Sequence, residues 1–348
     1  MNTLVSKTLA GFKPGKIQTH RNMTLVPIMF TVKKRGPDYV TMKEALDGGF
    51  FVVTEVSEGG SVPNLKVTNK GDVAVLLLDG EEMAGAKQNR VLNTTILVKA
   101  KSEVVIPVSC TEHGRWSYES HEFHDSGILM DTNLRTLNRQ NVSISMASNM
   151  GPRSNQSDVW DSIHMMASRA GVQSETGAMR DVYEKRKDEM DAYLKAFTCL
   201  PSQKGLMIFI GGRVVGFDYL SKGAAFAGLF PKLVKSYAME AWLESRDKKK
   251  EEGADSGKDT AKDADAIVGA DAVDVAQVKA FIADAAKCGE KSYDSVGLGK
   301  DYRYNGFKIV GSALAVDDTV VHMAFFRMTE NEKAGNMAGS NRRRSFRL

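Results

Sequence analysis

The chain has 348 residues, of which 42% are hydrophobic, and a formal net charge of +4. This length suits one large domain or two ordinary ones, and so small a charge argues against a general nucleic-acid binder. Much of the basic excess lies in residues 341–348 (NRRRSFRL), so nucleic acid is an expected partner at that tail at most. Three scattered cysteines favour a reducing compartment over a disulfide framework. Without an apolar leader or an apolar span, the sequence predicts a soluble, cytoplasmic protein.

The first part of the chain is typical of strands in quick succession. The predicted elements are strands at 23–32, 50–56, 72–78, 94–100 and 103–110, and a short helix at 41–49. The short connections favour a mixed, mostly antiparallel sheet over alternating βαβ units. Residues 114–152 are polar with weak apolar periodicity, which predicts an extended loop with fragments of structure.

The second part alternates helices with hairpins. The predicted elements are helices at 157–171, 174–197, 229–245 and 273–287, hairpins at 205–220 and 307–328, and a connector at 296–303 after helical residues. Each hairpin has an apolar run, a two-residue turn and a Val-Val pair, and His322 stands where Gly216 stands. An internal repeat and convergence on a common hairpin pattern both explain this likeness. His322 is expected to be a hydrogen-bonded core residue, with ligand contact as the alternative.

Together these patterns predict an α+β fold with a mixed, mostly antiparallel sheet, packed helices and one main compact unit. The main body is expected to span residues 1–245. A disordered charged linker follows at 246–270, because residues 246–266 have no aromatic or large aliphatic side chain. Residues 271–330 are expected to pack back on the main body, since one helix and one hairpin make a poor core alone. Residues 331–348 are predicted to be a basic, disordered tail.

One stretch, LLLDGEEMAGAKQNRVLNTT at 76–95, is far more polar than a hairpin connection needs. Its candidate site residues are Asp79, Glu81, Glu82, Lys87, Gln88, Asn89, Arg90 and Asn93. Adjacent carboxylates near a Lys and an Arg bind a polar ligand, hold a metal or perform acid–base chemistry. Small residues between them would let a ligand approach the backbone closely.

A second polar cluster, SCTEHGRW at 109–116, contains Glu112, Arg115 and Trp116. If the strands that begin at Thr94 and Glu103 pair antiparallel, the two clusters meet at one edge of the sheet. Two arginines would then grip a phosphate or carboxylate, and the tryptophan would stack on a base. The alternative is a structural clasp, in which the acids and arginines pair with each other and the tryptophan packs.

A metal site is the third interpretation of the second cluster. Cys110, His113, His121 and His124 have a spacing that zinc can use. They lack the tight paired spacing of a zinc finger and lie in a predicted loop. We therefore expect surface histidines and predict no metal site.

The elements LLLDGEEMAGAKQNRVLNTTILV, SEVVIPVSCTEHGRW and GLMIFIGGRVVGFDYL together resemble a bacterial domain family. That family is named for its association with ADP-ribosylglycohydrolases and rhodanese-phosphatase proteins. The resemblance extends from Leu25 to Phe326, interrupted by the charged linker. All eleven candidate side chains of the two clusters fill motif positions of the family, whereas His113, His121 and His124 do not.

The resemblance implies a role near NAD or ADP-ribose metabolism. The first hypothesis is a binding domain for a nucleotide-like or ADP-ribose-containing ligand, with no cofactor identified. The second is an enzyme that acts on such a ligand, with Glu82 and Glu112 as acid–base candidates. The third is an adaptor protein in which the polar cluster is a structural clasp.

Overall fold

The structure is a computed structural model that describes residues 1–30, 36–251 and 273–328. Eight helices and three mostly antiparallel sheets form one compact unit in these residues, which confirms the predicted α+β class. None of the described helices has the length and apolar character needed to cross a membrane.

The strands are short, and most are joined by tight connections. In chain order they are β1 (Lys13–Pro14), β2 (Gln18–His20), β3 (Met23–Met29), β4 (Tyr39–Thr41), β5 (Phe51–Glu55), β6 (Asn64–Asn69), β7 (Ala74–Leu77), β8 (Glu81–Gly85), β9 (Arg90–Leu92), β10 (Ile96–Val98), β11 (Ser102–Cys110), β12 (Phe123–Leu129), β13 (Gln203–Ile210), β14 (Arg213–Leu220), β15 (Gly289–Asp294), β16 (Lys300–Asn305), β17 (Ile309–Val316) and β18 (Thr319–Arg327). The helices are α1 (Thr3–Ala10), α2 (Met42–Asp47), α3 (Thr132–Ala147), α4 (Gln156–Ala170), α5 (Met179–Lys185), α6 (Lys187–Ala196), α7 (Gly223–Glu251) and α8 (Val275–Ala286).

The largest sheet has nine strands, in the order β1-β3-β13-β14-β18-β17-β16-β15, with β2 also paired to β3. Both predicted hairpins lie in it, because β13 turns into β14 at Gly211-Gly212 and β17 turns into β18 at Asp317-Asp318. One face packs against α7 and the inserted elements. The other face is covered by α1 and α8, with Leu9 and Phe281 in the same apolar cluster.

This sheet is internally symmetric. The pair Leu206–Asp218 of the first hairpin corresponds to Ser312–Ala324 of the second. All the remaining pairs of the first hairpin also have a counterpart in the second, at the same difference in residue number. Even the irregularity in register falls at equivalent positions. Where the two hairpins meet, Asp218 pairs with Ala324, so the two-fold axis passes through this pair.

The symmetry also includes the flanking elements. The pairing of β3 with β13 matches that of β16 with β17, so that Ile28–Gly205 corresponds to Tyr304–Gly311. A helix precedes each set of strands, and the two helices, α1 and α8, contact each other. The short strands β1 and β2 both pair with β3 and together take the place of β15, which pairs with β16. The nine strands and their two helices therefore form two copies of one unit, which supports the internal repeat.

The elements between β3 and β13 form an insertion in the first copy. They include two smaller sheets, with the orders β12-β8-β9-β11-β6-β5 and β10-β7-β4. Within the described residues, β4 and β7 are the parallel pair. The predicted pairing of the strands from Thr94 and Glu103 is wrong, because β10 pairs with β7 and β11 pairs with β6 and β9.

Three other predictions need correction. The predicted loop at 114–152 contains β12 and α3, and α3 was missed because it buries polar side chains such as Arg135 and Arg139. The single helix expected at 174–197 is interrupted at Arg186, where α5 ends and α6 begins. The connector expected at 296–303 follows a strand, β15, and not a helix, and it continues into strand β16.

The structure describes only the first residues of the predicted linker and none of the predicted tail. Helix α7 continues to Glu251 and so includes the start of the expected linker at 246–270. The rest of that linker and the expected tail at 331–348 lie outside the described residues. Residues 273–328 contribute α8 and four strands, and β18 pairs with β14.

Candidate functional site

The two polar clusters lie side by side, as predicted, although a different strand pair brings them together. Arg90 at the start of β9 is opposite Cys110 at the end of β11. Beyond this pair, the Asn89 amide donates to Glu112 Oε2 at 3.2 Å, and the Asn89 carbonyl accepts from the Thr111 amide. The stretch that enters β9 therefore contacts the loop that leaves β11.

Arg115 is the main connection between the two stretches. Its Nε and Nη2 donate to Glu112 Oε2 at 2.9 and 2.7 Å. Its Nη1 donates to the carbonyls of Ala86 and Ser117, and its Nη2 also reaches Asn89 Oδ1 at 3.2 Å. Burial opposes ionisation of Glu112, but these bonds from Arg115 and Asn89 lower its pKa. Arg115 and Glu112 thus have the geometry of a clasp between two loops.

We expect Arg115→Lys to lower the free energy of unfolding by about 1–3 kcal/mol, because the three donors of a lysine share one nitrogen and cannot reach all the acceptors that the planar guanidinium fork reaches. Urea unfolding measures this loss. Arg213→Lys is the matched control, since Arg213 forms a 2.9 Å ion pair with Glu244 but is 67% exposed. Equal stability of both variants would contradict a clasp.

Next to the clasp, an aromatic face combines exposed rings with cations; we define it as Lys87, Arg90, Trp116, Tyr118 and Glu55. Trp116 and Tyr118 are each 47% exposed. Lys87 Nζ lies 5.6 Å from the Trp116 ring centroid and 4.9 Å from that of Tyr118, within range of cation–π attraction. Aromatic rings this exposed beside a cation offer a surface to a flat, charged ligand.

Arg90 lies beneath this face with incomplete hydrogen bonding. Its side chain is fully buried, and its guanidinium carbon is 5.5 Å from the Trp116 ring centroid. Its Nη1 donates to Gln88 Oε1 at 3.0 Å, but Nε and Nη2 find no hydrogen-bond acceptor within the described ranges. The nearest carboxylate, Glu55 Oε1, is 4.0 Å from Nη2. Because buried donors are rarely left unpaired, Arg90 is available to an additional acceptor.

Glu82 occupies a separate, closed environment behind the clasp. It is fully buried in β8, and its Oε1 accepts from Thr111 Oγ1 at 2.6 Å. Opposite it, the pairing of β12 with β8 is irregular between Asp125 and Leu129, and Gly127 adopts a positive φ of 77°. Burial raises the pKa of Glu82 to about 7, although hydrogen bonds from Thr111 and Ser126 oppose the shift. A carboxyl that titrates near neutral pH is suited to proton transfer.

The remaining predicted site residues contact the interior of the protein and not the aromatic face. Glu81 forms an ion pair with Lys232 at 2.7 Å, and Lys232 also reaches Asp125 at 2.5 Å. Asn93 Oδ1 accepts from Ser109 Oγ at 2.8 Å. These side chains connect the inserted sheets to α7 and to each other, so their contacts are structural in this arrangement.

Asp79 belongs to a buried charge network that sequence reasoning missed. It forms a 2.5 Å ion pair with Arg139 of α3, and its Oδ1 accepts from Thr95 Oγ1 at 3.1 Å. Thr95 in turn bonds His322 Nδ1 at 2.9 Å, which agrees with the expected core histidine. His322 Nε2 lies 3.5 Å from Asp218 Oδ1. The network therefore connects the insertion to the two-fold axis of the large sheet.

Asp218 is the second carboxylate of this network. It accepts two bonds from Arg135 of α3, at 3.0 and 2.5 Å, and one from Tyr237 Oη at 2.8 Å. Burial alone would raise the pKa of Asp218, but Arg135 and His322 hold it well below its usual value. Two features of the sequence could have indicated this network: Arg135 and Arg139 are one helical turn apart, and Asp218 is a lone acid within an apolar strand.

The residues of the zinc hypothesis do not converge. No group of three or more histidine, cysteine or acidic side chains within the described part of the chain is close enough to hold a metal ion. Cys110 is buried, and burial raises the pKa of its thiol to about 11. His113 instead packs edgewise against Trp160, with ring centroids 4.3 Å apart.

Comparison with known proteins gives one family match. The family described as the ARG and Rhodanese-Phosphatase-superfamily-associated Protein domain (ARPP-1) matches residues 11–326. No curated protein and no solved structure matches the chain significantly. The match includes the insertion that carries the two polar clusters and both copies of the duplicated unit, apart from α1 and the last residue of β18.

Proposed function

Since the chain belongs to the ARG and Rhodanese-Phosphatase-superfamily-associated Protein family, we propose that it binds a nucleotide-like ligand of the ADP-ribose class at the aromatic face. One observation carries the proposal: buried Arg90 has two donor nitrogens without an acceptor directly beneath half-exposed Trp116. The family name supports a role associated with the proteins it mentions, and the chemistry of the aromatic face supports the choice of ligand.

The face offers the two interactions that a nucleotide needs. Lys87 and Arg90 supply positive charge for a phosphate, and the fixed fork of the guanidinium donates two parallel hydrogen bonds. Trp116 and Tyr118 supply flat surfaces for a base or ribose, and stacking is worth about 1–3 kcal/mol per base. Because Arg90 has no exposed surface, a small shift of the Trp116 ring must accompany ligand entry.

Titration with ADP-ribose, NAD and AMP by calorimetry tests the proposal. We expect Arg90→Lys to weaken binding by about 1.5–3 kcal/mol, the value of a hydrogen bond to a charged group. Lys87→Gln should weaken binding less, because Lys87 is partly exposed. Lys99→Gln, at an exposed lysine outside the face, should leave affinity unchanged.

Two results would contradict this function. Absence of binding by all three ligands would favour the adaptor hypothesis, in which the polar clusters are a structural clasp. Equal affinity of the parent and Arg90→Lys would place the ligand elsewhere. Thermal melts of each variant distinguish a lost contact from a lost fold.

The second candidate function is an enzyme that acts on the bound ligand. It is favoured by two nearby carboxyls whose pKa values shift in opposite directions. The pKa of Glu82 is raised to about 7, whereas the pKa of Glu112 is lowered. Glu82 would then transfer a proton, and Glu112 would stay ionised to support developing positive charge. Turnover of the bound ligand by the parent, lost in Glu82→Gln with binding retained, would establish this function.

A further inference from the structure

A groove of about 580 Å³ is bordered by His113, from the loop that carries the clasp. Helix α4 forms one wall through Trp160 and Asp161, and the segment from Val172 to Ala178 forms the other. His113 closes one end. The amide of Gly114 donates to the Thr176 carbonyl at 2.8 Å, which fixes the second wall against the loop. This volume is typical of small-molecule sites.

The lining of this groove differs chemically from the aromatic face. Its floor is apolar, with Ile163, Ala167 and Val172, whereas neither lysine nor arginine is among the described residues that line it. It therefore offers no counter-charge to a phosphate. The carboxylate of Asp161 is exposed at the groove and favours a cationic or hydrogen-bond-donating group.

Trp160 adds an unsatisfied donor. Its indole Nε1 is buried and has no hydrogen-bond partner in the portion of the chain that the structure describes. A buried indole N–H usually finds an acceptor, and a ligand could supply one. Because this nitrogen has no exposed surface, a rotation of the Trp160 ring must accompany that contact. An indole ring also attracts a cationic group placed over its face. Donor, carboxylate and aromatic surface together match a flat cationic ring that bears a carboxamide.

We propose that the groove binds the second ring of a dinucleotide, a nicotinamide-type ring whose carboxamide accepts from Trp160 Nε1 and donates to Asp161. This inference rests on the proposed function, because the phosphates and the first ring would lie at the aromatic face. It narrows the ligand class from any ADP-ribose compound to a dinucleotide with a cationic carboxamide ring.

The distance between the two surfaces is compatible with one ligand. His113 lines the groove and Trp116 lies in the aromatic face. Three residues of chain separate their Cα atoms by at most about 11 Å. The two riboses and the diphosphate of a dinucleotide are long enough to cross such a span. The ligand would pass over the loop that Arg115 and Glu112 hold in place.

NAD and ADP-ribose are a matched pair of probes, because they differ by the nicotinamide ring. We expect NAD to bind the full chain roughly three- to tenfold more tightly than ADP-ribose, the range of one hydrogen bond with partial charge assistance. Trp160→Phe keeps a flat ring and removes the N–H, so it should reduce that preference while leaving ADP-ribose affinity unchanged. Met165→Leu, on the same helix and 61% exposed, should preserve the preference.

Indole N–H signals in nitrogen-15 NMR spectra of the parent protein give a readout that depends on no variant folding. Trp116, Trp160 and Trp242 are the tryptophans of the chain. NAD should shift the signals of Trp116 and Trp160, whereas ADP-ribose should shift that of Trp116 alone.

The outcomes separate the two proposals. Equal shifts of the Trp160 signal by both probes, or none by NAD, would overturn the groove proposal while the aromatic face stands. A Trp160 shift by NAD without any Trp116 shift would support the groove and contradict the function proposed for the face. A preference for NAD that is the same in Trp160→Phe as in the parent would also overturn the groove assignment.

Discussion

Asp218→Ala should lower the free energy of unfolding by about 3–5 kcal/mol, because it leaves a buried arginine without its counter-ion. Arg135 would lose both of its hydrogen bonds to Asp218, and Tyr237 Oη would lose its acceptor. Asp218 and Arg135 are both fully buried, so solvent cannot replace the lost partner. Urea unfolding at neutral pH measures the loss.

Two comparisons make this result specific. Asp294→Ala removes an exposed acid, 87% accessible, from its ion pair with Lys300 and should change stability by less than about 1 kcal/mol. The double variant Asp218→Leu with Arg135→Met should recover much of the loss, since an apolar pair of similar volume is often as stable as a buried ion pair. A loss below about 1 kcal/mol for Asp218→Ala would show that water reaches the network.

The network should also make the protein sensitive to acid. The pKa of Asp79, like that of Asp218, is lowered in the folded state: burial opposes the shift, and ion pairs with nearby arginines outweigh it. A depressed carboxyl pKa adds stability above the unfolded pKa, and this stability is lost as the pH falls toward the folded value. Stability should therefore decline below about pH 4.

The second large effect concerns Glu82, with the opposite dependence on pH. Burial raises its pKa from 4.5 to about 7, so between these values the folded state holds a proton that the unfolded chain has released. The free energy of unfolding therefore falls as the pH rises through this window, by about 3 kcal/mol in total. Glu82→Gln has no proton to lose and should remove this dependence.

Unfolding of the parent and of Glu82→Gln should be compared at pH 5 and pH 8. The two should be nearly equal at pH 5, and the variant should be more stable by about 3 kcal/mol at pH 8. Burial also raises the pKa of Glu240 to about 7, despite Arg169, but this residue is present in both proteins and its effect cancels. Glu103→Gln, at a carboxylate with 55% exposure, is the control. A difference that is independent of pH would mean that Glu82 is ionised throughout.

Elements with a local signal were predictable from the sequence. The turns at Gly211-Gly212 and Asp317-Asp318 were located because two-residue polar turns between apolar runs specify hairpins. The capping box of α2 was equally local, with Thr41 and Glu44 bonded in both directions. The adjacency of the two polar clusters was predicted correctly as well.

What depends on distant contacts was not predictable. Helix α3 lacks an apolar stripe because it buries polar side chains. Among them, Arg135 and Arg139 form ion pairs with acids from β14 and from the turn between β7 and β8. A pattern based on apolar periodicity reads such a helix as a loop. Strand β9 was missed because it has only three residues and lies within a polar run. It is this strand that brings Arg90 beside Cys110.

The symmetry of the large sheet also bears on the history of this protein. Two equivalent units that meet about a two-fold axis, with Asp218 paired to Ala324, have the arrangement of a symmetric homodimer held within one chain, which is the arrangement that duplication and fusion of a gene would produce. The first copy carries the long insertion between β3 and β13, and the second copy has different residues at two equivalent positions: His322 corresponds to Gly216, and Arg303 corresponds to Pro27. Both side chains of the second copy form hydrogen bonds with the insertion, His322 with Thr95 and Arg303 with Thr94, so this contact exists only because one chain holds both copies and the insertion.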